Sequence, residues 1–140
     1  DPSNNNDKFL RSRIRKLLRN LDKEGLKFNK FYLTLKNLSK SNQVIQFFVE
    51  KNVVENSKYF KKGKKIILNK SFFKNPDEII LRSFMQVIQD ISKKKNYPRG
   101  KKVLNLLDSI KFSDKNVKLT LSGCIIEKIS NSVIIYQENR

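Results

Sequence analysis

The sequence predicts a mainly α-helical protein that ends in a small antiparallel β meander, an α+β arrangement. Apolar residues recur at intervals of three and four as far as about residue 110, as they do on one face of a helix. From Val117 onward they alternate with polar residues, which is typical of half-buried strands. The chain has 140 residues, 38% of them hydrophobic, which is enough for one domain or two small lobes.

The first helix is predicted over residues 7–23, after an Asn-rich polar start, and Gly25 ends it. Its apolar stripe consists of Leu10, Ile14, Leu17, Leu18 and Leu21. On another face Arg11, Arg15 and Arg19 stand four residues apart, and four of the seven arginines in the chain lie in this helix. Because guanidinium offers phosphates a rigid planar fork, the stripe favours nucleic-acid contact, with a solvated helix face as the alternative.

A second helical pattern follows over residues 28–53, as one long helix or two in line. Its apolar positions are Phe28, Phe31, Tyr32, Leu35, Leu38, Ile45, Phe48, Val49 and Val53. We interpret the aromatic residues as core because they fall on the apolar stripe, with base-stacking platforms as the alternative. The run Lys61-Lys62-Gly63-Lys64-Lys65 cannot be buried and therefore forms an exposed turn or a linker between two lobes.

The second half opens with a short β-like run at residues 66–68, and a third helix is predicted over residues 76–92. Asn75 can cap this helix and Pro76 suits its first position, while Asp77 and Glu78 complement the positive end of the helix dipole. Its buried face is expected to contain Ile80, Phe84, Val87, Ile88 and Ile91, with Leu81 and Met85 beside them.

A fourth amphipathic helix is predicted around residues 103–110, after a break at residues 97–100. The alternating segment from Val117 to Tyr136 then forms two or three antiparallel strands. These elements divide the chain into a helical bundle lobe over residues 1–60 and a mixed α+β lobe over residues 61–140.

The net charge of +18 indicates an anionic partner, since a field of this size attracts polyphosphate or anionic lipid. Nucleic acid is the favoured partner and a membrane surface a weaker alternative. Compositional bias is a third explanation, because the chain has 24 Lys and 16 Asn but no Ala. The candidate phosphate contacts are Arg11, Arg15, Arg19, Lys61, Lys62, Lys64, Lys65, Lys93, Lys94, Lys95, Arg99, Lys101 and Lys102.

The residues indicate binding and no catalysis within this chain. His is absent and Cys124 is the single cysteine, which excludes zinc clusters, disulfides and Cys-His nucleophilic pairs. The four glycines are isolated, so there is no Gly-rich phosphate loop, and the carboxylates are scattered. Cys124 is interpreted as a buried structural thiol, with a reactive thiol as the alternative. No membrane span or signal peptide is visible, which predicts a cytoplasmic protein.

The N-terminal end of the chain contains Asp1-Pro2-Ser3-Asn4, followed by Phe9, Arg11, Arg13, Ile14 and Arg15. These residues resemble the Asp-x-Ser-Asn and Phe-x-Arg-x-x-Leu-Arg stretch of the tRNA(Ile)-lysidine synthetase family, which closes the catalytic domain and opens its linker helix. The terminal part is similar to the C-terminal section of short bacterial members. It comprises Pro98-Arg99-Gly100-Lys101-Lys102-Val103-Leu104, Leu119-Thr120-Leu121-Ser122-Gly123-Cys124-Ile125-Ile126 and Gln137-Glu138-Asn139-Arg140.

The resemblance implies a C-terminal fragment that starts where an ATP-pyrophosphatase domain ends. Family enzymes use ATP, with Mg²⁺, to activate the wobble cytidine of the CAU-anticodon isoleucine tRNA and then attach free lysine. ATP and lysine would therefore bind in the absent domain, and this fragment alone would be inactive and bind no cofactor or metal. Residues 1–60 would be the linker helix and a tRNA-docking lobe, with Asp1, Asn4, Arg11 and Arg15 nearest the active site. A homodimer is left open.

Two other classes of function stay open beside this one. A non-enzymatic basic domain for RNA or DNA would carry the same lysine clusters. A protein-interaction module whose charge reflects compositional bias predicts weak, non-saturating RNA binding.

Overall fold

A computed structural model describes residues 10–113 and 116–138 of the chain. In this part the helices are α1 (Leu10–Lys23), α2 (Phe28–Asn56), α3 (Asp77–Ser92) and α4 (Gly100–Phe112), with a short 3-10 helix at Lys70–Lys74. The strands are β1 (Ser57–Phe60), β2 (Lys65–Leu68), β3 (Val117–Leu121), β4 (Cys124–Ile129) and β5 (Ser132–Gln137). The predicted mainly helical α+β fold class is confirmed.

The described residues form two compact units, with the boundary between Gln43 and Val44. The first unit contains α1 and the N-terminal part of α2, and the second contains the rest. Residues 28–56 are one continuous helix, which is the first of the two alternatives that the periodicity left open. The predicted division of roles between residues 1–60 and 61–140 stays a prediction.

The apolar stripes of the first unit are exposed, so the prediction that its aromatic residues form a core is wrong. Phe28, Phe31 and Tyr32 are 67%, 40% and 56% exposed. The leucines of both helices share this exposure, namely Leu10, Leu17, Leu18, Leu21, Leu35 and Leu38. Helical spacing correctly predicts that such residues share a face, but it does not say what covers that face. Further along α2, within the second unit, Val49 is buried as expected, whereas Phe48 is 46% exposed and its predicted core role is also wrong.

The second unit is built on a five-stranded antiparallel sheet with the strand order β1-β2-β5-β4-β3. Helices α3 and α4 pack against one face of it, and their apolar stripes close the core. The largest fully buried side chains include Leu68, Phe72, Phe84, Ile88, Ile126 and Ile135. The face without these helices is called the outer face below.

The predicted C-terminal meander is confirmed as β3, β4 and β5, and the run at residues 66–68 lies in β2. Antiparallel pairing of β2 with β5 joins the two parts into one sheet, through Ile66 with Ile135 and Leu68 with Val133. The sequence did not predict β1, because four residues that directly follow a helix show too few alternations to indicate a strand.

The expected capping role of Asn75 is wrong. Pro76 takes the N-cap position of α3 and makes no side-chain cap bond, whereas the Asn75 amide Nδ2 donates to Asn52 Oδ1 at 2.9 Å. Asn52 is only 3% exposed and also accepts a hydrogen bond from Asn56. Its own amide donates to the Phe72 carbonyl and to Ser83 Oγ. Asn75 therefore serves a buried polar network that connects α2, the 3-10 helix and α3.

Candidate nucleic-acid interface

Two turns of the second unit lie at the same end of the sheet. Lys61–Lys64 form the β1–β2 turn, because Phe60 pairs with Lys65, and Lys65 in turn pairs with Tyr136. Tyr136 also pairs with Ile125, close to the β3–β4 turn at residues 122–123. Since β2 and β4 are separated by β5, the nearest residues of the two turns are about 10 Å apart. The lysine run thus forms a hairpin turn, the first of the two predicted alternatives.

A second group of basic residues reaches the same end. The Lys94 ammonium lies 3.8 Å from the position that a Cβ on Gly123 would occupy. Lys128 Nζ donates to the Ile110 carbonyl at the C-terminal end of α4, and Lys128 pairs with Val133 toward the opposite end of the sheet. The first turn of α4, with Lys101 and Lys102, therefore lies toward the end that Lys94 occupies.

We call this surface the basic end. It comprises Lys61, Lys62, Lys64, Lys65, Lys93, Lys94, Lys95, Arg99, Lys101 and Lys102. All of these side chains are exposed except Lys65, which is half-buried because it is the first residue of β2 and not a turn residue. Glu138 also lies here, since its backbone N–H donates to the Gly123 carbonyl at 2.9 Å. Ten predicted phosphate contacts from two distant stretches of sequence thus lie toward the same end of the second unit, where basic side chains predominate.

The arginine stripe belongs to the first unit. Arg11, Arg15 and Arg19 are exposed along α1, and Arg19 Nε donates to the Arg15 carbonyl at 3.4 Å. This bond lays the Arg19 side chain back along its own helix. Asp1 and Asn4, which the resemblance places near the active site, lie outside the described residues.

Comparison with known proteins agrees with the resemblance seen at the two ends of the chain. A tRNA(Ile)-lysidine synthase of Wolbachia pipientis wMel is 27% identical over 139 residues, and so is that of Wolbachia sp. subsp. Brugia malayi (strain TRS). The chain is similar to tRNA(Ile)-lysidine synthases. Each alignment covers 99% of this chain but 32% of the relative, so the chain spans about a third of the length of these relatives. No family model and no solved structure matches the chain.

A cavity of about 450 Å³ lies at the end of the second unit that is opposite to the basic end. Its walls are mixed, with Phe73, Ile80, Leu104 and Leu107 beside polar residues, and Lys70 and Asp108 are among its charged residues. The charges there are mixed, in contrast to the basic end. None of the predicted phosphate contacts lines this cavity.

Cys124 is a buried structural thiol, as interpreted from the sequence. Its Sγ lies 3.7 Å from the Ile88 carbonyl oxygen, and the side chain is fully enclosed. Burial raises the pKa of this thiol to about 11, although the nearby Lys94 charge acts in the opposite direction. At neutral pH the thiol is therefore protonated and a poor nucleophile.

The described part of the chain lacks two kinds of feature. Residues 10–113 and 116–138 contain no group of three or more His, Cys, Asp or Glu side chains that could hold a metal ion. None of the helices in these ranges is both long enough and apolar enough to cross a membrane.

Proposed function

We propose that this chain is a tRNA-docking portion of a tRNA(Ile)-lysidine synthase. Similarity to the two Wolbachia synthases along nearly the whole chain supports the link to tRNA modification. The observation that supports the docking role is the basic end, where nine lysines and one arginine from separate elements lie toward the same end of the second unit. An RNA backbone is the polyanion that such a surface suits in a tRNA-modifying protein.

In this proposal the basic end neutralises tRNA phosphates and fixes the position of the RNA. Contacts of this kind supply affinity that falls with salt but carry little sequence information. The exposed arginines of α1 would add phosphate contacts from the first unit, and Arg11 and Arg15 would stand nearest the reacting groups. Choice of the tRNA would then depend on the part of the protein that lies outside this chain.

The enzyme as a whole would use ATP to attach free lysine to the wobble cytidine of the CAU-anticodon isoleucine tRNA in the cytoplasm. In this proposal ATP and Mg²⁺ bind outside this chain. Its glycines, at positions 25, 63, 100 and 123, are too far apart for a phosphate-binding loop, and its described carboxylates form no cluster. We therefore assign no chemical step to this chain, which alone would be inactive.

The test is binding of the chain to the CAU-anticodon isoleucine tRNA and to an unrelated tRNA at several salt concentrations. The proposal predicts saturable binding of both, little preference, and a steep fall in affinity with salt. Arg11→Ala and Arg15→Ala should each weaken binding. Absence of saturable binding to either tRNA at low salt would contradict the docking role.

The alternative is a non-enzymatic basic domain for RNA or DNA, which the basic end would serve equally well. The synthase proposal and this alternative predict different activities for the longer protein. Lysine incorporation into the isoleucine tRNA by the full-length gene product supports the synthase. Equal binding of tRNA and DNA, without any such incorporation, supports the alternative.

A further inference from the structure

The outer face of the sheet carries a regular arrangement of aromatic, aliphatic and basic side chains. Because side chains alternate across a strand, the neighbours of the buried residues point to this face. One row crosses all five strands through Phe60, Lys65, Tyr136, Ile125 and Thr120, as the strand register shows. This row is also the one that lies next to the basic end.

A second row runs parallel to the first and contains Lys58, Ile67, Ile134, Glu127 and Lys118. Ile125, Ile67 and Ile134 form an apolar centre that is only half-buried. The described helices of the second unit lie elsewhere: α3 and α4 pack against the buried residues of the other face, and the C-terminal part of α2 is hydrogen-bonded to Ser83 of α3. A half-buried apolar centre framed by lysines is a surface suited to a ligand.

Two aromatic rings stand on this face in the first row. Phe60 has Lys58 Nζ at 5.5 Å and Lys65 Nζ at 5.8 Å from its ring centroid. The Tyr136 hydroxyl donates to Glu127 Oε1 at 2.7 Å, which holds the ring across the surface of the sheet. The strands that carry the rings, β1 and β5, are separated by β2, so the rings are about 10 Å apart.

We propose that the outer face binds an unpaired stretch of RNA, with Phe60 and Tyr136 as stacking platforms for two bases. This inference rests on the proposed function, since it specifies which part of a bound RNA this chain would contact. Bases of single strands stack on aromatic side chains displayed by sheets, while nearby cations follow the backbone. Here the row with both rings leads directly to the lysines of the β1–β2 turn.

Charge favours RNA over a protein segment as the occupant. Lys58, Lys65 and Lys118 project on this face, and the carboxylate among them is Glu127. Glu127 is already paired with Lys118 at 2.8 Å and with the Tyr136 hydroxyl. The remaining charge of the two rows is positive and continues into the basic end, which complements a polyanion.

The test uses the 140-residue chain and a labelled, unstructured oligouridine of about 10 nucleotides, with an RNA duplex of equal length beside it. The variants are Phe60→Leu and Tyr136→Leu, which remove a ring but keep an apolar side chain. Phe60→Tyr and Tyr136→Phe keep the ring, and Tyr136→Phe also isolates the effect of the hydroxyl. Tyr59→Leu is the matched control, because Tyr59 is 55% exposed on the same strand but points to the other face.

Each ring-removing variant should bind oligouridine roughly tenfold more weakly, with an unchanged salt slope, because every lysine that could pair with a phosphate is still present. The ring-keeping variants and Tyr59→Leu should bind as the unaltered chain does. The chain has 4 Tyr and no Trp, so stacking can also be followed by tyrosine fluorescence. Oligouridine should quench this fluorescence in the unaltered chain and less so in Tyr136→Phe.

Three outcomes would overturn the inference. If Phe60→Leu and Tyr136→Leu bind oligouridine like the unaltered chain while tRNA still binds, the outer face is not an RNA site and the proposed function stands. If these variants keep RNA binding but no longer associate with the remainder of the full-length protein, the face docks protein. If no RNA binds at any salt concentration, the proposed function fails and this inference fails with it.

Discussion

Replacing Asn52 with Leu removes the centre of the buried polar network while nearly keeping the side-chain volume. Asn52 Oδ1 accepts from Asn56 and Asn75, both at 2.9 Å, and its amide donates to the Phe72 carbonyl at 3.3 Å and to Ser83 Oγ at 3.2 Å. The leucine leaves four polar groups without these bonds. We expect a lower free energy of unfolding for the second unit.

The size of this destabilisation depends on which of the four polar groups keep another hydrogen-bond partner. Ser83 Oγ still donates to the Val49 carbonyl at 3.4 Å, and the Phe72 carbonyl still accepts a long bond from Asn75 at 3.5 Å. The amides of Asn56 and Asn75 are half-buried and reach water only in part. At about 1–3 kcal/mol for each unsatisfied buried group, the expected total is about 2–4 kcal/mol after this recovery. For a unit of this size that corresponds to a fall in Tm of roughly 8–30 °C.

The assay is thermal unfolding followed by circular dichroism, with Asn105→Leu on the exposed surface of α4 as the control. Asn75→Ala should cost less than Asn52→Leu, because it removes a donor and leaves Asn52 Oδ1 its bond from Asn56. If Asn52→Leu unfolds within roughly 2 °C of the control, the network does not stabilise the fold and the reasoning is refuted.

Three further predictions concern the sheet. In the β3–β4 turn, Ser122 and Gly123 have φ values of 55° and 80°. In thermal unfolding, Gly123→Ala should therefore destabilise the second unit by about 1 kcal/mol, and Ser122→Asn should stabilise it slightly. Burial raises the pKa of Cys124 from 9.0 to about 11. At mildly alkaline pH, alkylation of Cys124 should therefore be at least about 100-fold slower in the folded chain than in the unfolded chain, and equal rates would contradict this. The hydrogen bond from Lys118 lowers the pKa of Glu127 in the folded chain. The stabilisation that Glu127 contributes is therefore present above the usual glutamate range and is lost as pH falls through the lowered pKa. The Tm difference between Glu127→Gln and the unaltered chain should shrink on acidification, and a constant difference would count against the ion pair.

Local signals predicted most of the elements because their causes are local. Pro76, Asp77 and Glu78 mark the start of α3, and the alternation after Val117 marks the meander, without reference to the rest of the chain. Asn75 shows the limit of such signals. Its position suits a helix cap, but the buried amide of Asn52, 23 residues earlier in the chain, provides a stronger partner.

The candidate site was predictable residue by residue but not as a surface. Composition and clustering identify Lys61 and Lys94 as exposed cations. Only the pairing of β2 with β5 and of β5 with β4, together with the approach of Lys94 to Gly123, brings them to the same end of the sheet. Pairing between strands so far apart in sequence depends on the tertiary fold. The exposed stripe of α2 is a similar case, because periodicity places Phe28 and Phe31 on one face without indicating what covers it.

The measurement that tests the central claim most directly compares two triple variants in tRNA binding across a series of salt concentrations. Lys62→Gln, Lys64→Gln and Lys94→Gln remove three charges from the basic end. Lys70→Gln, Lys74→Gln and Lys111→Gln remove three charges outside it. Because both variants lose the same net charge, they separate a local interface from a general attraction of the +18 chain for RNA.

If the basic end docks tRNA, the first variant should bind more weakly at low salt. Its slope of log K against log salt should be shallower by roughly 0.7 to 0.9 for each phosphate that is no longer neutralised. The second variant should keep a slope close to that of the unaltered chain. Equal effects of the two variants, or no effect of the first, would contradict the docking role of the basic end.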